Sequence, residues 1–209
     1  MSRFYLVTRS IVNVVLRLMY RPVVSGNPKL PDGPVILVSN HISNWDVVLM
    51  GSIVDRQIRF MAKKELFEFK PLHMLMDWLG AFPVDRGGAD VSAIRTGLSI
   101  LGEGGVIGIF PQGTRVKDDS SFEMAGGASM IALRSRAQIV PVHISGPYRL
   151  FRHVRIAFGA PFTPAGAGAR INRELIDEVN AQVTERVLAL LGKESVLDVD
   201  KRTFAARRM

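Results

Sequence analysis

Short runs of consecutive apolar residues alternate with helically spaced ones along most of this chain. Residues 34 to 39 (PVILVS), 57 to 62 (QIRFMA), 106 to 110 (VIGIF), 139 to 145 (IVPVHIS) and 154 to 159 (VRIAFG) read as strands. Several are apolar at successive positions, the pattern of a strand covered on both faces. Between them, residues 46 to 54, 71 to 79, 91 to 101 and 126 to 137 carry apolar side chains at steps of three and four, the period of a helix with one buried face. Residues 161 to 170 are rich in Gly, Ala and Pro and read as turns, and residues 171 to 191 as a long amphipathic helix. Strand and helix in alternation predict an α/β fold with a mixed, largely parallel central sheet flanked by helices. Ligand sites in such sheets gather at the loops beyond the carboxyl ends of strands.

The first 22 residues follow a different pattern. Phe4, Val7, Ile11, Val14, Val15 and Leu18 recur at helical spacing while Arg3, Arg9 and Arg17 interrupt the run. The arginines leave no stretch of about 20 apolar residues, so a spanning helix is not expected, and the absence of an A-x-A pattern argues against a cleaved signal. Two placements fit: a helix packed on the domain core, or one lying in a membrane interface with its arginines among anionic headgroups. The chain thus divides into an N-terminal amphipathic helix (1–22), one domain (23–195) and a basic tail (196–209).

Composition narrows the chemistry. With 47% hydrophobic and 22% charged residues over 209 positions, the chain can bury the core of a full domain. Its 27 Lys and Arg against 19 Asp and Glu give a formal charge of +8, which suits an anionic partner: nucleic acid, an acidic membrane or a phosphorylated substrate. The basic residues are spread out and match no nucleic-acid-binding signature, so no nucleic acid is expected. The chain has no cysteine. Disulfides, thiolate metal sites and a Cys nucleophile are therefore excluded. His73, His143 and His153 lie at no metal-binding spacing, and G-x-S-x-G is absent. Chemistry falls to His, carboxylates, hydroxyls, Lys and Arg.

One histidine, His41, sits in NHISNWD, residues 40 to 46, directly after the first buried strand. Within a continuous helix, residues five apart are rotated by about 140° and separated by about 7.5 Å along the axis, so His41 and Asp46 would not meet. They meet if His41 lies in the turn before a helix and Asp46 in its first turn, with Asn40 or Ser43 free to cap it. Asp46 then fixes the imidazole tautomer and leaves the other ring nitrogen as a general base. Taken alone, the pair reads first as a polar helix start with a carboxylate favoured by the helix dipole. A second strand exit carries FPQGTR, residues 110 to 115. There Pro111 and Gly113 build a turn, Thr114 offers a hydroxyl, and Arg115 presents a fork of donors suited to phosphate.

Taken together, these segments resemble the glycerolipid acyltransferase family, in its lysophosphatidic-acid acyltransferase group. NHISNWD is similar to its N-H-x4-D block and GAFPVDRGG (80 to 88) to its G-x-x-x-x-x-R block. FPQGTR matches F-P-E-G-T-R, IVPVHISG (139 to 146) matches the V-P-V block, and RFMAKKELF (59 to 67) the A-K-x-E-L-F segment, all in the family's order. The resemblance implies transfer of a fatty acyl group from acyl-CoA or acyl-carrier protein to the free hydroxyl of a lysophospholipid or glycerol phosphate, above all 1-acylglycerol-3-phosphate. It implies catalytic roles for His41 and Asp46, and an acceptor-phosphate site at Arg115, Lys63, Gly113, Thr114 and Arg86. No metal or cofactor is implied beyond the acyl thioester substrate. Partners would be the two substrates, with acyl-carrier protein as one form of donor, and an anionic membrane surface. The location would be peripheral, on the cytoplasmic face. Apolar residues around 74 to 82 suit an acyl groove or plain core packing.

Two positions depart from the family pattern. Gln112 stands where Glu is usual, which keeps hydrogen bonding and removes a charge. Ala125 stands where members often carry a basic residue. A non-catalytic membrane-binding member of the same fold is the competing reading.

Overall fold

A computed structural model describes residues 3–85, 90–113, 115, 122, 126–168 and 170–191. A helix α1 (Arg3–Tyr20) leads into a short strand β1 (Val23–Ser25). Then follow β2 (Val35–Ser39), α2 (Trp45–Ile53), β3 (Ile58–Lys63), a 3-10 turn (Lys64–Phe67), α3 (Lys70–Trp78) and β4 (Phe82–Val84). The second half comprises α4 (Val91–Gly102), β5 (Val106–Ile109), α5 (Gly126–Ser135), β6 (Gln138–Ser145), β7 (Arg155–Phe158) and α6 (Arg173–Leu188). The strands form one seven-stranded sheet in the order β1-β7-β6-β2-β5-β3-β4. Every neighbouring pair is parallel except β6 and β7, which makes this the expected α/β fold with a mixed, mostly parallel sheet.

The continuous apolar runs are buried on both faces, and alternation decides which side chain goes where. Along β2, Ile36 and Val38 join a core with α4, α5 and α6 residues, including Leu101, Ile131 and Val183, while Val35 and Leu37 join Leu16 and Tyr20 of α1 and Leu49 and Met50 of α2 on the opposite face. Ile107 and Val106 of β5 divide in the same way. At the centre of β5 stands Gly108, where an added Cβ would come within 2.4 Å of the Phe60 ring. The glycine lets that ring lie across the strand.

Several elements differ from the sequence expectation. β1 and β4, three residues each, are too short to show a period. α5 ends at Ser135, where Arg136 takes a left-handed conformation with φ 54°, and α6 begins at Arg173 behind an Asn172 side chain that accepts from the Leu175 N–H. In α1 the spaced residues Ile11, Val14, Val15 and Leu18 are exposed, and it is Leu16 and Tyr20 that bury themselves against the domain. From Ile11 to Leu18, the apolar stripe legible in the sequence is thus the outward one. The tail, 196–209, lies outside the described residues, as do Arg86, Thr114 and Ala125. Among the described residues, no helix is long and apolar enough to cross a membrane.

Candidate active site

β6, β2, β5 and β3 are adjacent and mutually parallel, so their carboxyl ends share one edge of the sheet. In that order the edge carries the loop with Tyr148, the NHISNWD turn, the FPQGTR turn and Lys63, on strands about 4.8 Å apart.

In the NHISNWD turn, β2 stops at Ser39 and α2 starts at Trp45, which leaves His41 in the connection and Asp46 in the first helical turn. The imidazole Nδ1 lies 2.8 Å from Asp46 Oδ2. The same oxygen accepts the Ile42 and Ser43 backbone N–H groups, each at 2.8 Å. Asp46 is fully buried, and its other oxygen, Oδ1, accepts the Tyr148 hydroxyl at 2.6 Å. A carboxylate can only accept, so Nδ1 carries the proton and Nε2 keeps its lone pair. The four donors and the amino end of α2 together stabilise a charge that burial alone would expel.

The expected caps are arranged differently. Ser43 Oγ accepts from the Trp45 N–H at 3.3 Å, but Asn40 does not cap α2. Its buried amide instead pairs with β6, donating to the Ile144 carbonyl and accepting from the Ile144 N–H, both at 2.8 Å. This pair replaces the ladder that β2 and β6 lose as β2 turns away, and so fixes where the His41 turn leaves the sheet.

The imidazole is also held by its faces. Its ring stacks on Phe110 with centroids 4.2 Å apart, and Phe110 stacks in turn on Phe60 at 5.8 Å. The FPQGTR turn is closed by the Gly113 N–H donating to the Phe110 carbonyl, with Gly113 at φ 66°, a conformation that favours glycine. Gln112 Oε1 accepts the His41 backbone N–H at 3.1 Å, joining the two turns. Its Nε2 is buried and, among the described residues, has no hydrogen-bond partner. The acceptor function open to either Glu or Gln is therefore the one in use here.

Arg115 is exposed beyond this turn. Lys63 is half-exposed at the end of β3, with its Nζ 3.0 Å from Glu65 Oε1. Met74 of α3 is exposed while Phe82 of β4 is in the core, so residues 74 to 82 do not share one environment. Tyr148 was not legible as a site residue. It is partly buried, with its ring edge-on to Tyr20 at 5.4 Å, and Tyr20 in turn lies 5.8 Å from Trp45. Burial, then the neighbouring Asp46 charge and the hydrogen bond to it, push the phenol pKa far above its ordinary value, so it remains a donor at any working pH.

A buried carboxylate that orients a mostly buried imidazole, at the carboxyl edge of a mostly parallel sheet, is an arrangement that can take a proton from a hydroxyl. The family model described as Acyltransferase matches residues 21–145. A 1-acyl-sn-glycerol-3-phosphate acyltransferase of Bacillus subtilis is 33% identical over 190 residues, covering 87% of this chain and 94% of the relative. One of Streptococcus pneumoniae is 36% identical over 126 residues, 58% of this chain and 46% of that protein. The crystal structure of the 1-acyl-sn-glycerophosphate (LPA) acyltransferase, PlsC, from Thermotoga maritima shares the fold with a TM-score of 0.69 at 23% identity, covering 93% of this chain and 81% of that one. The chain belongs to the acyltransferase family and is an O-acyltransferase.

Proposed function

We propose that this enzyme transfers a fatty acyl group from a thioester, acyl-CoA or acyl-carrier protein, to the free hydroxyl of 1-acylglycerol-3-phosphate, giving phosphatidic acid for phospholipid synthesis. The observation that carries this reading is the His41 Nδ1–Asp46 Oδ2 bond, with the carboxylate fully buried and Nε2 left as the base. His41 Nε2 takes the hydroxyl proton as the oxygen attacks the thioester carbonyl. Asp46 stabilises the imidazolium, which returns the proton to the departing thiolate as the tetrahedral intermediate collapses. The nucleophile is the acceptor's own hydroxyl, so no acyl-enzyme is needed. Arg115 and Lys63, with Arg86, supply positive charge for the acceptor phosphate, and Gly113 and Thr114 shape the turn. The relatives of Bacillus subtilis and Streptococcus pneumoniae are 1-acyl-sn-glycerol-3-phosphate acyltransferases, which supports this acceptor. We place the enzyme peripherally on the cytoplasmic face of a membrane, with α1 in the interface.

The test is acyl transfer by purified protein from both donors to lysophosphatidic acid, glycerol phosphate and neutral lysophospholipids. Lysophosphatidic acid should be preferred, and His41→Ala and Asp46→Asn should each lower kcat on the order of 10³-fold, the scale for loss of an oriented base. Transfer that survives in His41→Ala, or a wild type inert toward every acceptor, overturns the proposal.

A further inference from the structure

The outward face of α1 does not end with the helix. Ile11, Val14, Val15 and Leu18 form an i, i+3, i+4, i+7 stripe, and each is at least 45% exposed. Where α1 stops, the loop between β6 and β7 continues the same surface with Leu150 and Phe151, 60% and 64% exposed. Three bonds fasten that loop to the helix end: the Phe151 N–H to the Met19 carbonyl at 2.6 Å, the Val154 N–H to the Tyr20 carbonyl at 3.1 Å, and His153 Nδ1 to the Arg21 carbonyl at 3.0 Å. Phe151 is held at φ 64°, a backbone conformation that bulky residues seldom take. Two large apolar side chains are thus presented to solvent on a loop that is tied down.

Charge identifies the occupant. The two segments that build this face contain no Asp or Glu: residues 1 to 31 have none, and neither do residues 124 to 173. Arg17, Arg21, Arg149 and Arg152 are all exposed within those segments. A tied-down apolar ridge carried on acid-free, arginine-bearing segments matches the boundary of an anionic bilayer, where apolar tips enter the acyl region and arginines stay among phosphates. We infer that Leu150 and Phe151 form a second membrane-inserting element, which docks with α1 as one rigid face. This rests on the reading of α1 as interfacial and extends it. Tyr148, two residues before Leu150, reaches Asp46, so the docked loop also sets the distance between the lipid surface and the candidate dyad.

The absence of cysteine permits a clean test. An environment-sensitive fluorophore is placed at Phe151→Cys, and at Asp177→Cys on α6, which packs on the opposite face of the sheet, as control. Partition onto phosphatidylglycerol/phosphatidylcholine vesicles is measured for wild type, Leu150→Ser/Phe151→Ser and Val14→Ser/Leu18→Ser. The probe at 151 should shift to the blue on anionic vesicles while that at 177 does not. Each double substitution should lower partition at least about tenfold, given the apolar area withdrawn. Unchanged partition for the loop variant, with loss for the α1 variant, overturns the inference and leaves the α1 reading standing; unchanged partition for both overturns both. A blue shift with an acidic carrier protein but none with vesicles makes this a protein-docking face and also overturns it. Should the loop variant unfold, the probe at 151 decides alone.

Discussion

Replacing Tyr148 by Phe removes one hydroxyl and leaves the ring in its packing against Tyr20. The lost interaction is a 2.6 Å hydrogen bond to a carboxylate that no solvent reaches. Hydrogen bonds to a charged group contribute about 1.5 to 3 kcal/mol, which caps the effect on rate at roughly 10- to 150-fold if all of it is felt in the transition state. Three donors remain on Oδ2, so the imidazole stays oriented. The expected outcome is a fall in kcat of about tenfold with KM unchanged, and a loss of about 1.5 to 3 kcal/mol in urea unfolding because Oδ1 is left buried without a donor. Steady-state transfer assays separate kcat from KM. A second readout comes from pH. The folded phenol keeps its proton above pH 10 while the unfolded one releases it near that pH, so the unfolded state binds fewer protons and stability falls as pH rises. Above about pH 10, wild type should lose stability faster than Tyr148→Phe by up to about 1.4 kcal/mol per pH unit. An unchanged kcat together with identical alkaline slopes would refute the role given to Tyr148; a raised KM at constant kcat would place it against the acceptor instead.

Two further substitutions probe the supports of His41. Gln112→Glu should remain active within about tenfold of wild type by the same transfer assay, because a carboxylate oxygen can accept the His41 N–H as Oε1 does and the Nε2 it replaces has, among the described residues, no partner to lose. Loss of activity on the scale of His41→Ala would show that the amide itself is required. Gly108→Ala should destabilise by about 1 to 3 kcal/mol in chemical denaturation, since the new Cβ would meet the Phe60 ring at 2.4 Å. Because Phe60 stacks on Phe110 and Phe110 on His41, it should also lower kcat. A wild-type melt and rate would mean the aromatic stack bears on neither.

What could be read from the chain follows from how far apart the interacting residues lie. The α/β alternation was legible because β2, β5 and β6 are buried on both faces and so apolar at nearly every position. The His41–Asp46 geometry was legible because a turn of five residues closes on itself. The stripe on α1 was legible as a period, but a period does not say which side faces the domain; packing of Leu16 and Tyr20 decided that. Asn40 misled because its side chain can cap a helix equally well, and only the neighbouring β6 offered a better pair of partners.

Tyr148 lies 102 residues from Asp46 and belongs to no local pattern, yet hydrogen-bond accounting could have demanded it. A buried carboxylate has two oxygens to satisfy. The three donors that the NHISNWD turn brings to Asp46 converge on Oδ2, which leaves Oδ1 to a donor from elsewhere. The parallel pairing of β2 with β6 leaves the loop after β6 as the nearest source, and Tyr148 is the hydroxyl on it that makes the bond. The family was legible from the half of the site that is local; the remaining half follows once the carboxylate's second oxygen is treated as a question that the topology must answer.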